Sequence, residues 1–427
     1  MKRIGTLTLG CKVNHTETQA IEGMFRSAGY QVVSFDEDAD IYLVNTCSVT
    51  HLGERKSRQA IRKVHRRNPN ALVVVTGCYA QSAPGEIADI EGVNLIVGTQ
   101  DRHHMVKWVE EQGKQQTIHV NDILTAKNFE ELPAYEEGRS RAFLKVQEGC
   151  NQYCTYCIIP YTRGPLRSRS LENAAQEAQG LFKLGFAEIV LTGIHLGCYG
   201  FDLIERPSLA DLVTAVLAQS NEGRVRLGSL ESVEVSDDLL KLLSEEPRLC
   251  KQLHLPLQSG SDEILKGMGR PYTVGKFKEL LAKVREQLPN VGVTTDIIVG
   301  FPGETDTSFL ETLETVKELK FSNIHVFPYS ARRGTPAANY LNQVSDSDKK
   351  TRVAKLQELA DELAEEFRNQ FIGEIVDVIW EEPDSEGISG GWSSEYLRIY
   401  GKVTDGNVGK LCQAKVQQKY RDGLWAE

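Results

Sequence analysis

No apolar run in this 427-residue chain approaches the ~20 residues needed to span a bilayer. An export signal is missing as well. The opening MKRIGTLTLG carries two basic residues but only a short, strand-like apolar run. There is no internal repeat and no low-complexity tract. Positive charge is also in short supply: 49 Lys and Arg stand against 59 Asp and Glu, a net charge of −10. That balance excludes a protein that coats nucleic acid non-specifically, but not a local basic surface. Together these absences predict a cytoplasmic protein with no membrane partner, whose nine Cys serve as metal ligands or reduced thiols rather than disulfides. What is present is ordinary globular composition, 41% hydrophobic and 25% charged, with length enough for two to four domains.

The densest cysteine motif lacks a fourth ligand. Cys150, Cys154 and Cys157 fall within EGCNQYCTYCIIPYTRGPLRSR. A structural zinc site takes four protein ligands, and an electron-transfer 4Fe–4S centre takes four Cys. Three thiolates therefore predict a cluster with one iron left open, with zinc or a redox disulfide as the lesser reading. The spacing, with aromatic Tyr156 before the last Cys, resembles the radical S-adenosylmethionine (SAM) superfamily.

Over residues 1–112, strands at Arg3–Leu9, Ile41–Asn45, Leu72–Thr76 and Leu95–Val97 alternate with helices around Glu17–Ala28, Arg55–Arg67 and Arg102–Glu111. This predicts an α/β unit with a doubly wound parallel sheet. Residues 113–140 turn polar, with Glu130, Glu131, Glu136 and Glu137 among them, and read as a linker. Residues 141–367 alternate again. Strands are expected at Phe143–Gln147, Glu188–Leu191, Val225–Leu227, Gln252–Leu257, Gly292–Val299 and Asn323–Phe327, and helices at Leu171–Leu184, Leu209–Gln219, Thr273–Gln287 and Thr305–Leu319. The pattern predicts a partial (β/α)6 barrel with its site at the C-terminal strand ends, where the three Cys fall. A helix over roughly Asp346–Gln370 leads into residues 368–427. There EIVDVIWEE, YLRIYGKV and KLCQAKVQQKY alternate like half-buried strands of a small all-β barrel.

Cys11, Cys47 and Cys78 each end a predicted strand, in TLTLGC, IYLVNTC and VVVTGC. Gly10 and Gly77 let the backbone turn sharply before two of them. Loops at the carboxyl ends of neighbouring parallel strands converge on one crevice. A second three-Cys metal centre is therefore expected, with iron–sulfur favoured over zinc by ligand softness. The competing reading is three small buried hydrophobes. Cys198, Cys250, Cys412, His195, His254, His103 and His104 have no partner at ligand spacing and read as structural.

Two three-Cys sets and a terminal β module, with IIPYTRGPLRSR, HLPLQSGSD, MGRPYT and DIIVGFPGET, resemble the methylthiotransferases over essentially the whole chain. The resemblance implies an N-terminal methylthiotransferase domain, a radical SAM barrel and a TRAM domain. LGCKVN looks like the branch acting on N6-threonylcarbamoyladenosine in tRNA, although His15-Thr16 departs from the Gln-Tyr more usual there. It further implies two 4Fe–4S clusters, SAM, a tRNA substrate, and a reducing electron donor such as flavodoxin or ferredoxin. Cys150, Cys154 and Cys157 would hold the cluster that binds and cleaves SAM. Cys11, Cys47 and Cys78 would hold the one that carries sulfur. Isopentenyladenosine or a ribosomal-protein aspartate are alternative substrates, and a non-catalytic electron carrier is the alternative of a different class.

Within that frame Gly193 would admit SAM close to the backbone, Gln258 would bond its ribose, and Ile298 and Gly300 would wall its adenine; for each, barrel packing is the competing role. Arg163, Arg167 and Arg169 either contact RNA phosphate or pair with nearby acids. Arg55, Lys56, Arg58, Arg62, Lys63, Arg66 and Arg67 form a one-sided basic run on a predicted helix, either a phosphate-binding face or a solvated one. From Arg368 onward seven basic side chains face ten acidic ones, which argues against a strong electrostatic clamp in the terminal module.

Overall fold

The strand Ile41–Thr46 is buried at every position. A parallel strand covered on both faces needs that near-continuous apolar run. In the computed structural model, which describes residues 1–113, 115–133 and 140–427, it is a central strand of an all-parallel sheet. The strands are β1 (Arg3–Thr8), β2 (Gln31–Ser34), β3 (Ile41–Thr46), β4 (Leu72–Gly77), β5 (Val93–Val97) and β6 (Thr117–His119), in the order β2-β1-β3-β4-β5-β6. Helices α1 (Lys12–Ser27), α2 (His51–Arg67), α3 (Cys78–Ser82), α4 (Pro84–Ala88) and α5 (Met105–Glu111) cover its faces.

Both edge strands differ from expectation. β6 lies in the stretch read as a polar linker, and its one large apolar residue, Ile118, is 49% exposed. It pairs with β5 through backbone hydrogen bonds, which leave no mark on side-chain pattern. Of that linker, residues 114 and 134–139, with Glu136 and Glu137, lie outside the described residues. α1 begins at Lys12 rather than Glu17, because its first turns bury the polar Asn14, Thr16, Glu17 and Thr18 and so hide the apolar period.

The second unit is a partial barrel. Strand β7 (Arg141–Lys145) is followed by a short antiparallel pair, β8 (Gln147–Glu148) and β9 (Arg167–Ser168), which brackets the cysteine loop and α6 (Ile159–Arg163). Then come α7 (Leu171–Lys183), β10 (Glu188–Thr192), α8 (Leu209–Leu217), β11 (Arg224–Leu227), α9 (Asp237–Glu245), β12 (Gln252–His254), α10 (Asp262–Gly267), α11 (Val274–Gln287), β13 (Gly292–Val299), α12 (Asp306–Leu319) and β14 (Asn323–Pro328). The order β7-β10-β11 continues through single bridges, Val225 with Leu249 and Ser229 with His254, into β12-β13-β14.

After α13 (Asp346–Asn369), strands β15 (Ile375–Pro383), β16 (Ser389–Ser393), β17 (Arg398–Gly401), β18 (Leu411–Tyr420) and β19 (Gly423–Ala426) close a barrel in the order β15-β16-β17-β19-β18. It caps the amino-terminal strand ends of the larger barrel. Arg224 and Arg226 donate to the carbonyls of Trp392 (2.8 Å) and Ser393 (2.7 Å). The same guanidiniums hold Glu188 at 2.6 and 3.0 Å. Burial alone would raise the Glu188 pKa, but these arginines outweigh it and keep the carboxyl well below its ordinary range.

Candidate metal and cofactor site

Cys150, Cys154 and Cys157 lie in the loop between β8 and α6, at the carboxyl end of the first barrel strand. The loop is anchored from below: Cys157 N donates to Cys154 O at 3.0 Å, and Thr155 N to Met268 O at 2.9 Å. Burial pushes the Cys157 thiol up to about 12, and negative charge on Cys154 or Cys150 would push it further. N–H donors meet two of the sulfurs: Arg270 Nη1 lies 3.2 Å from Cys154 Sγ, and Gln152 N lies 3.4 Å from Cys150 Sγ. Three converging sulfurs that need a metal to become thiolates suit an iron–sulfur cluster.

Cys11, Cys47 and Cys78 follow β1, β3 and β4, three neighbours in the sheet. Gly77, at φ +94°, makes the close turn: a side chain there would collide with Asn45 and the Thr46 backbone. Burial pushes the Cys47 thiol up to about 11, with Cys78 and then Cys11 adding to the rise, which places all three in one electrostatic neighbourhood. Cys11 is exposed, whereas Cys47 and Cys78 are buried. Arg163 Nε donates to Cys78 Sγ at 3.2 Å. The sulfur-only donor set fits a second cluster.

Arg163, Arg167 and Arg169 are 0%, 2% and 3% exposed, so the role expected for them on RNA phosphate is replaced by the pairing alternative. Arg163 reaches Glu17 at 2.6 Å and Glu148 at 3.3 Å, and also bonds Asn14. Arg167 donates to the Arg163 carbonyl at 2.6 Å, and Arg169 pairs with Glu131 at 2.6 Å. Glu17 also meets Arg102 at 2.6 Å and Lys145 at 2.9 Å. This buried ionic seam joins α1 of the first unit to β7 and α6 of the second. Burial alone would raise the Glu17 pKa; Arg102, Arg163 and Lys145 hold it well below the ordinary range.

A cavity of about 230 Å³ lies beside Cys157. Its lining includes Tyr156, Cys157, Gln258, Asp296 and Ile298 from the barrel, and Val49 and Thr50 just past Cys47. Tyr156, Gln258 and Ile298 are thus brought together beside the first cysteine set. Gln258 holds a left-handed backbone (φ +68°), with its N donating to Asp296 O at 2.8 Å. Gly193 and Gly300 do not line this cavity. A Cβ at Gly193 would meet Gln147 at 2.9 Å, and Gly300 packs on Lys349 with its N donating to Glu304 at 2.9 Å.

His195 and Cys198, read from sequence as structural, belong at the site. His195 Nδ1 lies 3.4 Å from Cys150 Sγ, its Nε2 pairs with Glu234, and Cys198 Sγ bonds Glu234 at 3.1 Å. TGIHLGCYG, just past a barrel strand, was the signal for it. On α2, Arg55, Lys56, Arg62 and Arg66 are exposed, while Lys63 pairs with Asp36 at 2.8 Å.

Comparison with known proteins follows these units. Residues 3–98 match the model of the uncharacterized protein family UPF0004, and residues 144–316 match that of the radical SAM superfamily. The chain is 44% identical to the threonylcarbamoyladenosine tRNA methylthiotransferase MtaB of Bacillus subtilis, over 97% of this chain and 94% of that one. It is 33% identical to the tRNA-2-methylthio-N(6)-dimethylallyladenosine synthase of Clostridium botulinum, over 96% and 93%. Among solved structures, the radical SAM methyltransferase TsrM from Kitasatospora setae, with cobalamin and a [4Fe-4S] cluster bound, superposes with a TM-score of 0.60. It covers 79% of this chain and 77% of that one at 15% identity, a likeness of fold. With its relatives matched end to end, the chain belongs to the radical SAM methylthiotransferase family, whose cofactors are SAM and 4Fe–4S clusters.

Proposed function

We propose that this enzyme converts N6-threonylcarbamoyladenosine beside the tRNA anticodon to its 2-methylthio derivative. The observation that carries the reading is the shared cavity: Cys157 stands on one wall and the loop after Cys47 on the other. The relative at 44% identity supports the choice of nucleoside. Cys150, Cys154 and Cys157 would hold one 4Fe–4S cluster, and Cys11, Cys47 and Cys78 the other. When bound, SAM and the clusters supply one-electron sulfonium cleavage, hydrogen abstraction from the adenine carbon, and the sulfur and methyl that replace it. The chain's own work is positioning. Arg270 and Arg163 aim N–H donors at Cys154 and Cys78, and the buried seam around Glu17 fixes the distance between the two sets.

Tyr156, Gln258 and Ile298 form the wall for SAM. Gly193 and Gly300 act at one remove, keeping side chains from crowding Gln147 and α13 behind that wall. The exposed Arg55, Lys56 and Arg62, with Arg66, give RNA phosphates a basic face on α2, whose first turn starts at the cavity rim. Reading a modified base needs that base unstacked from the loop, which suits a cavity rather than a groove. A cytoplasmic setting and a reduced flavodoxin- or ferredoxin-type donor complete the reading. Mass spectrometry of tRNA nucleosides from cells lacking the gene tests it. The 2-methylthio-threonylcarbamoyladenosine signal is expected to vanish while its unthiolated precursor accumulates; an unchanged ratio, with no redundant enzyme present, overturns the reading.

A further inference from the structure

Beside Asp296, one of the residues lining the cavity, stand two histidines that neither cysteine set uses. His254 ends β12, Asp296 is on β13 and His325 on β14, three adjacent parallel strands with His325 and Asp296 in register. His254 Nε2 lies 3.4 Å from Asp296 Oδ2, its Nδ1 lies 2.8 Å from Thr294 Oγ1, and its ring centroid is 5.9 Å from that of His325. Asp296 is also a lining residue of the cavity that holds Cys157.

Within electrostatic reach of this group is Lys12, the residue after Cys11. It is exposed, and among the described residues it pairs with no acid. Its Nζ stands 5.8 Å from the Tyr396 ring of the terminal barrel. Its charge bears on His325, as the least of the influences there after burial, Asp296 and His254. An unpaired ammonium beside two imidazoles and one carboxylate would repel a metal cation bound there. It suits a ligand that brings a carboxylate of its own, with hydroxyl or N–H donors for Asp296.

We infer that Lys12 and the His254–Asp296–His325 group form the subsite for the N6 substituent of the target base, Lys12 taking its carboxylate and Asp296 its hydroxyl or N–H. This rests on the reading above, in which that substituent is threonylcarbamoyl. A prenyl substituent offers neither anion nor donor. It would leave these groups desolvated and unpaired, the arrangement by which a polar site rejects an apolar analogue. The second residue of the sequence CKVN thus selects substrate, and does not only follow a cluster ligand.

The test uses the full-length, reconstituted enzyme and three anticodon stem-loop RNAs, identical except at N6: threonylcarbamoyl, its carboxamide, and isopentenyl. For the wild type, kcat/KM and RNA affinity should favour threonylcarbamoyl over the carboxamide by about 30-fold, the range of one charge-assisted hydrogen bond. In Lys12→Gln that preference should collapse to within about 3-fold, and Lys12→Arg should retain most of it. A Lys12→Gln enzyme that keeps the full preference, or a wild type that shows none, overturns the inference. A wild type that turns over only the isopentenyl RNA instead overturns the choice of nucleoside itself.

Discussion

Arg163→Met is the sharpest probe of how the two cysteine sets are held together. The side chain is fully buried and serves four partners: Glu17, Glu148, Asn14 and the Cys78 sulfur. Without it, Glu17 still has Arg102 at 2.6 Å and Lys145 at 2.9 Å. Glu148 keeps Lys145 at 2.6 Å, with Arg102 only at 4.0 Å. Two acids are left under-compensated rather than orphaned, so the cost should sit at the low end of a broken buried pair, about 3 kcal/mol. With a slope of roughly 2–3 kcal/mol per molar, the urea midpoint should fall by about 1 M or more. Urea unfolding of the apo chain would be followed by the fluorescence of Trp108, the single tryptophan of the first unit. Adding Glu17→Gln should recover part of the loss, a coupling of about 2 kcal/mol. Iron in the reconstituted variant should drop from about eight toward about four per chain as the second set loses its Arg163 donor. A variant with an unshifted midpoint and full iron content would refute the account.

Replacing Cys11, Cys47 and Cys78 together with Ala should leave reductive SAM cleavage intact and stop methylthio insertion; loss of 5′-deoxyadenosine on chromatography would refute that division. Cys150→Ala should abolish 5′-deoxyadenosine formation altogether. Glu17, Glu148 and Glu188 are all held below the ordinary carboxylate range by their cationic partners, against the opposing effect of burial. Their stabilisation is therefore complete above the unfolded carboxylate pKa of about 4.3 and lost as pH falls below it. Circular dichroism should show thermal stability flat from about pH 8 to 6 and falling steeply below about 4.5. Glu188→Gln should lessen that acid sensitivity and loosen the terminal barrel, read as faster proteolysis between α13 and β15.

The alternation of strand and helix, and six cysteines at strand ends, were legible because apolar runs and ligand spacing are local properties. Long-range pairing is not. Arg163, Arg167 and Arg169 look solvent-facing in sequence, yet Glu17, which neutralises Arg163, lies 146 residues away. His195 passed for an isolated histidine because Cys150 and Glu234 reach it from different loops, 45 residues away in the first case. Gly193 and Gly300 sit at the expected strand ends, but which side of a strand end faces the cavity depends on packing that no motif encodes. β6 escaped notice because edge pairing is made by backbone alone.

The two cysteine sets also differ in when they can be assembled. Cys150, Cys154 and Cys157 share one short loop, so they can capture iron before the barrel around them has formed. Cys11, Cys47 and Cys78 come together only once β1, β3 and β4 have paired, since closing such distant segments in an open chain is entropically unfavourable. On the ligand sets proposed above, loading of the second cluster would then follow folding of the first unit. With Cys47 and Cys78 buried and Cys11 exposed, iron and sulfide would reach this set past Cys11.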